Sequence, residues 1–321
     1  MANRILITEP IIEEPVEALR EQYDVTVGER GYYDKVAHLK QDISRFDAVL
    51  SLLSNPITEE VIEAAESLKI IANLAAGYDN IDVEAAREAS IAVANTPGVL
   101  TEATADATFA LLLSAARRLP EAEQYLREGH FDGWDPLGFL GKELNGSSLG
   151  IFGMGKIGTA VARRARGFGM DILYHNRNRV NPSVESEVDA TYVESVHELA
   201  EKSDILCLNC PLNDGTRHAV DQPVLEALGP EGILVNTARG AVVDEKALAE
   251  ALHTNVIGAA ALDVFEDEPA ITDALFDAPN CIMTPHIGSG TNTTRLKMGM
   301  LAVNSIKAAL NNEEIPNVVS G

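Results

Sequence analysis

Basic side chains are scarce in this sequence: 25 Lys and Arg stand against 49 Asp and Glu in 321 residues, a formal net charge of −24. A surface of that sign repels polyanions, which excludes nucleic acid and anionic membranes as partners. Long apolar runs are missing too. Ile5-Leu6-Ile7, near the start, is too short for a signal peptide, and no later stretch reaches the roughly 18 apolar residues of a membrane helix, so a cytoplasmic protein is expected. Cysteine is limited to Cys207, Cys210 and Cys281, in keeping with that compartment. Cys207 and Cys210 form a C-x-x-C, but it lies in the apolar run 204–211 and no second C-x-x-C supplies zinc ligands. Buried structural cysteines and no metal site are expected. Solenoid repeats and low-complexity tracts are likewise absent. What is present, 46% apolar residues, suffices for a core in each of about two domains.

The apolar pattern alternates strand-like runs with amphipathic stretches. Strands are expected at Ile5–Thr8, Val25–Val27, Ala48–Leu53 and Ile70–Ala75, with helices around Glu13–Gln22, Glu59–Ala65 and Val83–Glu88, a parallel α/β pattern. After the turn-type break Asn95-Thr96-Pro97-Gly98, an Ala- and Leu-rich helix should run from Thr101 to Leu119, stopped by Pro120. A second series follows: Leu149–Phe152, Ile172–Tyr174, Ile205–Leu208, Ile233–Asn236, Val256–Ala261 and Ile282–Thr284, with a capping box at Ser195-Val196-His197-Glu198. A closing helix, Asn292–Leu310, should return to the first domain. The fold expected is α/β, with two Rossmann-like or flavodoxin-like domains on parallel sheets. Residues 1–98 plus 289–321 form one discontinuous domain, and residues 99–288 the other. The stretch 129–146 holds the only Trp, Trp134, with Phe131, Leu137, Phe139 and Leu140 in no regular period. A partner subunit is the expected cover for so apolar a loop, the alternative being its own domain.

Gly153-Met154-Gly155-Lys156-Ile157-Gly158 is a G-x-G-x-x-G placed between a strand and a helix, the context in which it binds a dinucleotide. Gly153 would make the tight turn, Gly155 would admit the pyrophosphate and Gly158 would let the helix pack on the sheet. The next strand should end at the adenosine ribose, where an acid would bind both hydroxyls; here the sequence reads His175-Asn176-Arg177-Asn178-Arg179. Neutral Asn176 removes the repulsion of a 2′-phosphate, and Arg177 and Arg179 offer forks for it unless they are merely solvated. NADP(H) is the expected cofactor, with NAD(H) possible. Residues 142–184 carry seven basic and two acidic side chains, a basic stretch in an acidic chain.

Three further strands of the second series end in polar residues: Arg239 in N-T-A-R-G, Glu268 in D-V-F-E-D-E-P and His286 in T-P-H-I-G. Ligands of open parallel sheets bind beyond the carboxyl ends of the strands, so these side chains should converge. With the Gly-rich loop, these motifs occur in an order and spacing that resembles the D-isomer-specific 2-hydroxyacid dehydrogenase family over nearly the whole chain. The resemblance implies a substrate domain at 1–98 plus 289–321 and a dinucleotide-binding domain at 99–288, with a dimerisation helix and arm at 101–146. It further implies that Arg239 binds the substrate carboxylate and carbonyl oxygen and that His286, paired with Glu268, donates the proton. Asp263 would hold the nicotinamide amide. Ala76 and Gly77 would receive the carboxylate on their backbone N–H groups, and Leu53 and Ser54 would line the pocket. Cofactor contacts are also expected at Lys156, Ile157, Cys210, Pro211, Thr216, Thr237, Ala238 and Gly288.

Within the family, the run 134–141 and the His-Asn-Arg strand end are most similar to glyoxylate and hydroxypyruvate reductases. This implies NADPH-dependent reduction of a short 2-oxo acid to the D-2-hydroxy acid by a homodimer. Related reductases carry a second Trp where Gly138 stands, so larger 2-oxo acids, such as 2-ketogluconate or branched and aromatic ones, are an alternative. A dinucleotide-sensing protein resembling the family's corepressors is another.

Overall fold

The computed structural model describes residues 3–319, so the first two and last two residues assigned above to the first domain lie outside it. The chain divides into two compact units, one comprising residues up to Leu100 together with those from Ser289 onward, the other Thr101–Gly288. Among the described residues no helix is long and apolar enough to cross a membrane.

The first unit contains strands β1 (Arg4–Ile7), β2 (Asp24–Val27), β3 (Ala48–Ser51), β4 (Ile70–Asn73) and β5 (Ala92–Ala94). They form one all-parallel sheet in the order β2-β1-β3-β4-β5. Its helices are α1 (Glu13–Arg20), α2 (Val36–Asp42), α3 (Glu59–Glu63), α4 (Val83–Glu88) and the closing helix. Leu6, Val49, Ile71 and Val93, one from each of four strands, pack with Leu39, Val61, Ile62 and Ala86 of α2–α4. The strand expected over Ala48–Leu53 is two residues shorter, because the Asn55 side-chain oxygen captures the Leu52 N–H at 2.7 Å and turns the chain. Strand β5 and helix α2 were not expected.

The second unit opens with α5 (Thr101–Ala116) and α6 (Leu119–Arg127). A single helix to Leu119 was expected; instead Arg118 takes a left-handed conformation, φ +51°, and Pro120 sits in the first turn of α6. Proline lacks only an N–H that is unpaired there anyway, so it opens the second helix rather than stopping the first. Strands β6 (Ser148–Phe152), β7 (Asp171–His175), β8 (Ala190–Tyr192), β9 (Ile205–Leu208), β10 (Ile233–Asn236), β11 (Ala259–Leu262) and β12 (Cys281–Met283) form an all-parallel sheet, order β12-β11-β10-β9-β6-β7-β8. Between them run α7 (Lys156–Gly167), α8 (Pro182–Val188), α9 (Val196–Glu201), α10 (Gln222–Leu228) and α11 (Glu245–His253). Alternate strand residues serve opposite faces: Ile205 and Cys207 pack with α5 and α7, Leu206 and Leu208 with α9–α11. Cys207 is therefore core, and its thiol and that of Cys210 are free. Helix α12 (Asn292–Asn311) packs on α1 and on β3–β5 of the first unit, so closely that a Cβ on Gly299 would lie 2.4 Å from Pro15.

Candidate active site

In the second sheet the strand order reverses between β6 and β9, and the Gly-rich loop leaves the carboxyl end of β6 at that point. Gly153 has φ +105°, and a Cβ there would lie 2.3 Å from the Cys210 nitrogen; one on Gly158 would lie 2.3 Å from the Gly153 oxygen. Both positions exclude any side chain. Over Gly155, by contrast, nothing stands within 4 Å of a Cβ. Gly155 is also the N-cap of α7 and supplies no side-chain oxygen, and the N–H groups of Lys156 and Ile157 have no partner among the described residues. Open space over unpaired helix N-terminal donors fits a pyrophosphate.

The Asn176 side-chain oxygen accepts the Met154 N–H at 2.7 Å. That bond fixes the amide orientation and leaves its NH₂ group as the outward function, a donor where the sequence only lacks an acid. Arg177 is exposed and makes no hydrogen bond or ion pair among the described residues. Arg179 departs from the open fork expected of it. Its guanidinium is bidentate on Glu185, at 2.6 and 2.9 Å, and lies over the Tyr192 ring. The Glu185 carboxyl is held below its usual range by Arg179 and by the Tyr174 hydroxyl. Of the other expected cofactor contacts, Thr216 spends its hydroxyl on the Pro211 carbonyl within its own turn, and Thr237 pairs with Thr108 at 2.7 Å. Cys210 and Ala238 are buried, and burial pushes the Cys210 thiol up to about 12.

Arg239, Glu268 and His286 follow β10, β11 and β12. Asn236 shapes the first of these turns, accepting the Ala238 N–H and donating to the Arg239 carbonyl. Gly240 then lies so close to the next loop that a Cβ would overlap the Phe265 carbonyl carbon at 1.8 Å, which brings the arginine turn against the segment bearing Glu268. One Glu268 oxygen accepts the Phe265 N–H at 3.0 Å and the other meets His286 Nδ1 at 2.9 Å. Burial raises the Glu268 carboxyl, but the bond and charge of His286, the Phe265 N–H and the charge of Arg239 together hold it below its usual range. His286 has φ +53°, unusual for a residue with a side chain, and its Nε2 has no hydrogen-bond partner among the described residues.

Two buried carboxylates hold these loops. Asp263, 1% exposed, accepts the N–H groups of Ile287 and Gly288 at 2.8 and 2.7 Å and the Thr284 hydroxyl, while its carbonyl accepts the His286 N–H. Expected as a nicotinamide ligand, it is in this structure the anchor of the His286 turn. Glu245, 3% exposed, accepts the Glu266 N–H and the Thr272 hydroxyl, pinning both sides of Glu268. Sequence reading missed Glu245 and Asn236; the nearest signal was a carboxylate pair, Asp244-Glu245, opening a helix directly after the arginine turn.

In the first unit, Ala76 and Gly77 follow β4. Three successive carbonyls there are tied back: Ala75 by the Thr96 N–H at 2.7 Å, Ala76 by the Asn95 amide at 2.7 Å and Gly77 by the Asn73 amide at 2.9 Å. The N–H groups of Ala76 and Gly77 have no partner among the described residues. With their carbonyls tied back, these two unpaired donors form a candidate nest for an anion. Leu53 is half-buried and Ser54 exposed in the loop after β3.

Residues 109–288 match the D-isomer specific 2-hydroxyacid dehydrogenase NAD binding domain. Over the whole chain, a glyoxylate reductase of Thermococcus litoralis is 42% identical, with 97% of its own length covered. Among solved structures, the TT0316 protein of Thermus thermophilus superposes with a TM-score of 0.91 at 40% identity, over 99% of this chain and 100% of that one. An NADPH-dependent glyoxylate/hydroxypyruvate reductase of Sinorhizobium meliloti, in complex with NADP and malonate, gives 0.89 at 38% identity, over 100% of this chain and 97% of that one.

Proposed function

Because the chain belongs to the D-isomer-specific 2-hydroxyacid dehydrogenase family and is an NAD(P)-dependent oxidoreductase, we propose that it reduces glyoxylate or hydroxypyruvate with NADPH, giving the D-2-hydroxy acid where the product is chiral. The observation that carries this reading is the His286–Glu268 pair at 2.9 Å on an anchored turn, with Nε2 unbonded among the described residues. Lysine could supply charge, but a planar guanidinium at Arg239 matches a carboxylate and its adjacent carbonyl oxygen in two places. A dinucleotide held over Gly155 by the N–H groups of Lys156 and Ile157 would supply the hydride for the carbonyl carbon. Arg239 stabilises the negative charge growing on the oxygen, and His286 Nε2 gives that oxygen its proton. Glu268, kept ionised, stabilises the imidazolium before transfer; the neutral ring is reprotonated from water. The nest at Ala76 and Gly77 receives the substrate carboxylate.

NADPH rather than NADH is supported by the Asn176 donor and the unpaired Arg177, and by the cofactor named for the Sinorhizobium relative. A homodimer is supported by the arm, where Phe131, Trp134, Leu137 and Leu140 all stand exposed on the single chain. The test is oxidation of NADPH and of NADH with glyoxylate, hydroxypyruvate and bulkier 2-oxo acids. Turnover fastest with NADPH and a two- or three-carbon acid is expected. Turnover confined to bulkier acids would overturn the substrate assignment, and NADPH binding without turnover of any acid would leave a dinucleotide sensor instead.

A further inference from the structure

A cluster of buried amides in the first unit has no part in the chemistry above. Asn80, in the loop after Ala76 and Gly77, donates through its amide nitrogen to the carbonyls of Leu52 and Asn55, both at 3.0 Å. Its amide oxygen accepts from Asn73 at 3.0 Å, and Asn73 in turn donates to the Gly77 carbonyl and accepts from Ser51 at 3.0 Å. On the other side, Asn55 accepts the Leu52 N–H and the Thr8 hydroxyl at 2.7 and 2.6 Å and donates to Asp34. Asn55 and Asn73 are wholly buried, and every side-chain amide in the chain of bonds is satisfied. The Asn80 carbonyl adds a fourth link, accepting the Ile57 N–H at 2.8 Å.

We infer that Asn80 is a positioning residue for oxo-acid binding: it ties the loop carrying Leu53 and Ser54 to the loop whose Ala76 and Gly77 N–H groups form the nest. This rests on the functional reading above. A short acid offers few groups to hold, so its affinity depends on donors set in place before it arrives. A carbonyl can hold a loop only if a donor reaches it, and the backbones of the two loops meet only at Ile57, which donates to the Asn80 carbonyl and accepts the Asp82 N–H, both at 2.8 Å. The Asn80 side chain supplies two more and, through Asn73, reaches the Gly77 carbonyl at the nest itself. Glu268 and His286 lie in the other unit and take no part in these bonds, so loss of Asn80 should weaken capture of the acid while leaving proton delivery and cofactor binding intact.

Asn80→Asp is the direct test, since it keeps the size while replacing the two-bond donor with an oxygen; Asn80→Ala removes the amide without adding charge. The protein as it exists is assayed with glyoxylate and NADPH, wild type first, with melting curves confirming that each variant is folded. The expected result is a KM for glyoxylate raised about tenfold or more, kcat within about twofold and an unchanged KM for NADPH. Folded variants with an unchanged glyoxylate KM, or with kcat and NADPH affinity falling alongside it, would overturn the inference while wild-type turnover keeps the functional reading. Should Asn80→Asp fail to fold, Asn80→Ala decides by the same criteria. Wild type that turns over no oxo acid overturns the functional reading and this inference with it.

Discussion

At the scale of the residue, the proposed contact to a 2′-phosphate divides two neighbouring arginines that look alike in sequence. Arg177 is unpaired among the described residues, whereas Arg179 is already bidentate on Glu185. Arg177→Ala should therefore raise the KM for NADPH about tenfold or more and leave NADH within about twofold, as loss of a charge-assisted bond implies. Arg179→Ala should do much less. Equal losses with both cofactors, or a larger effect from Arg179, would contradict the assignment. The sequence shows both arginines and the missing acid, but not which guanidinium is taken: Glu185 is six residues further on, on α8, and only the fold brings it back. Gly153 and Gly158 were legible for a different reason. The positive φ of Gly153 and the packing of Gly158 on the Gly153 carbonyl are local, so the motif alone states them, whereas the close fit of Gly153 on Cys210 appears only in the fold.

At the scale of the element, most strands were legible because β6, β9 and β10 are buried on both faces and read as unbroken apolar runs. Strands β5 and β8, three residues each and rich in Ala and Thr, carry too little pattern to be seen. The capping box at Ser195 holds, with one change: Glu198 reaches back to the Glu194 N–H rather than to that of Ser195. What joins the starts of strands is less visible. Asp204 accepts the N–H and hydroxyl of Ser148 at 2.8 Å and pairs with Lys142 at 2.9 Å, linking the foot of β9 to that of β6. Burial raises its carboxyl, but the bonds from Ser148 and Lys142 outweigh burial and bring it down to about 2. Because the folded pKa lies below the unfolded one, the stabilisation is full above about 4 and fades as pH falls toward about 2. Asp204→Asn should cost about 1 kcal/mol at neutral pH, allowing for the partial exposure of the pair. Denaturation across pH checks this; a deficit that persists undiminished at the acid end would be the contrary result.

At the scale of the whole molecule, the basic stretch 142–184 is not the open cationic surface its composition implies. Lys142, Arg163, Arg164 and Arg179 are ion-paired and Arg166 is bonded to the Glu187 carbonyl. Among the described residues only Lys156 and Arg177 of the seven stay unpaired, one in the first turn of α7 and one after β7, both beyond carboxyl ends of the sheet. The attraction proposed for a phosphorylated dinucleotide thus rests on two placed cations rather than on a field. The arm 129–146 was legible as apolar and irregular, and Trp134, 85% exposed on the single chain, is also the only tryptophan. In a homodimer covering the arm its emission should be blue-shifted and should move to the red on dilution or in Leu137→Asp; emission of exposed indole at every concentration would contradict the dimer. The central claim, that the His286–Glu268 pair delivers the proton in reduction of a short 2-oxo acid, is tested most directly by the rate of NADPH oxidation at saturating glyoxylate, wild type beside His286→Ala. Wild-type turnover with a loss of about 10²- to 10⁴-fold in the variant, NADPH binding unchanged, is the predicted result; a variant within tenfold of an active wild type would contradict it.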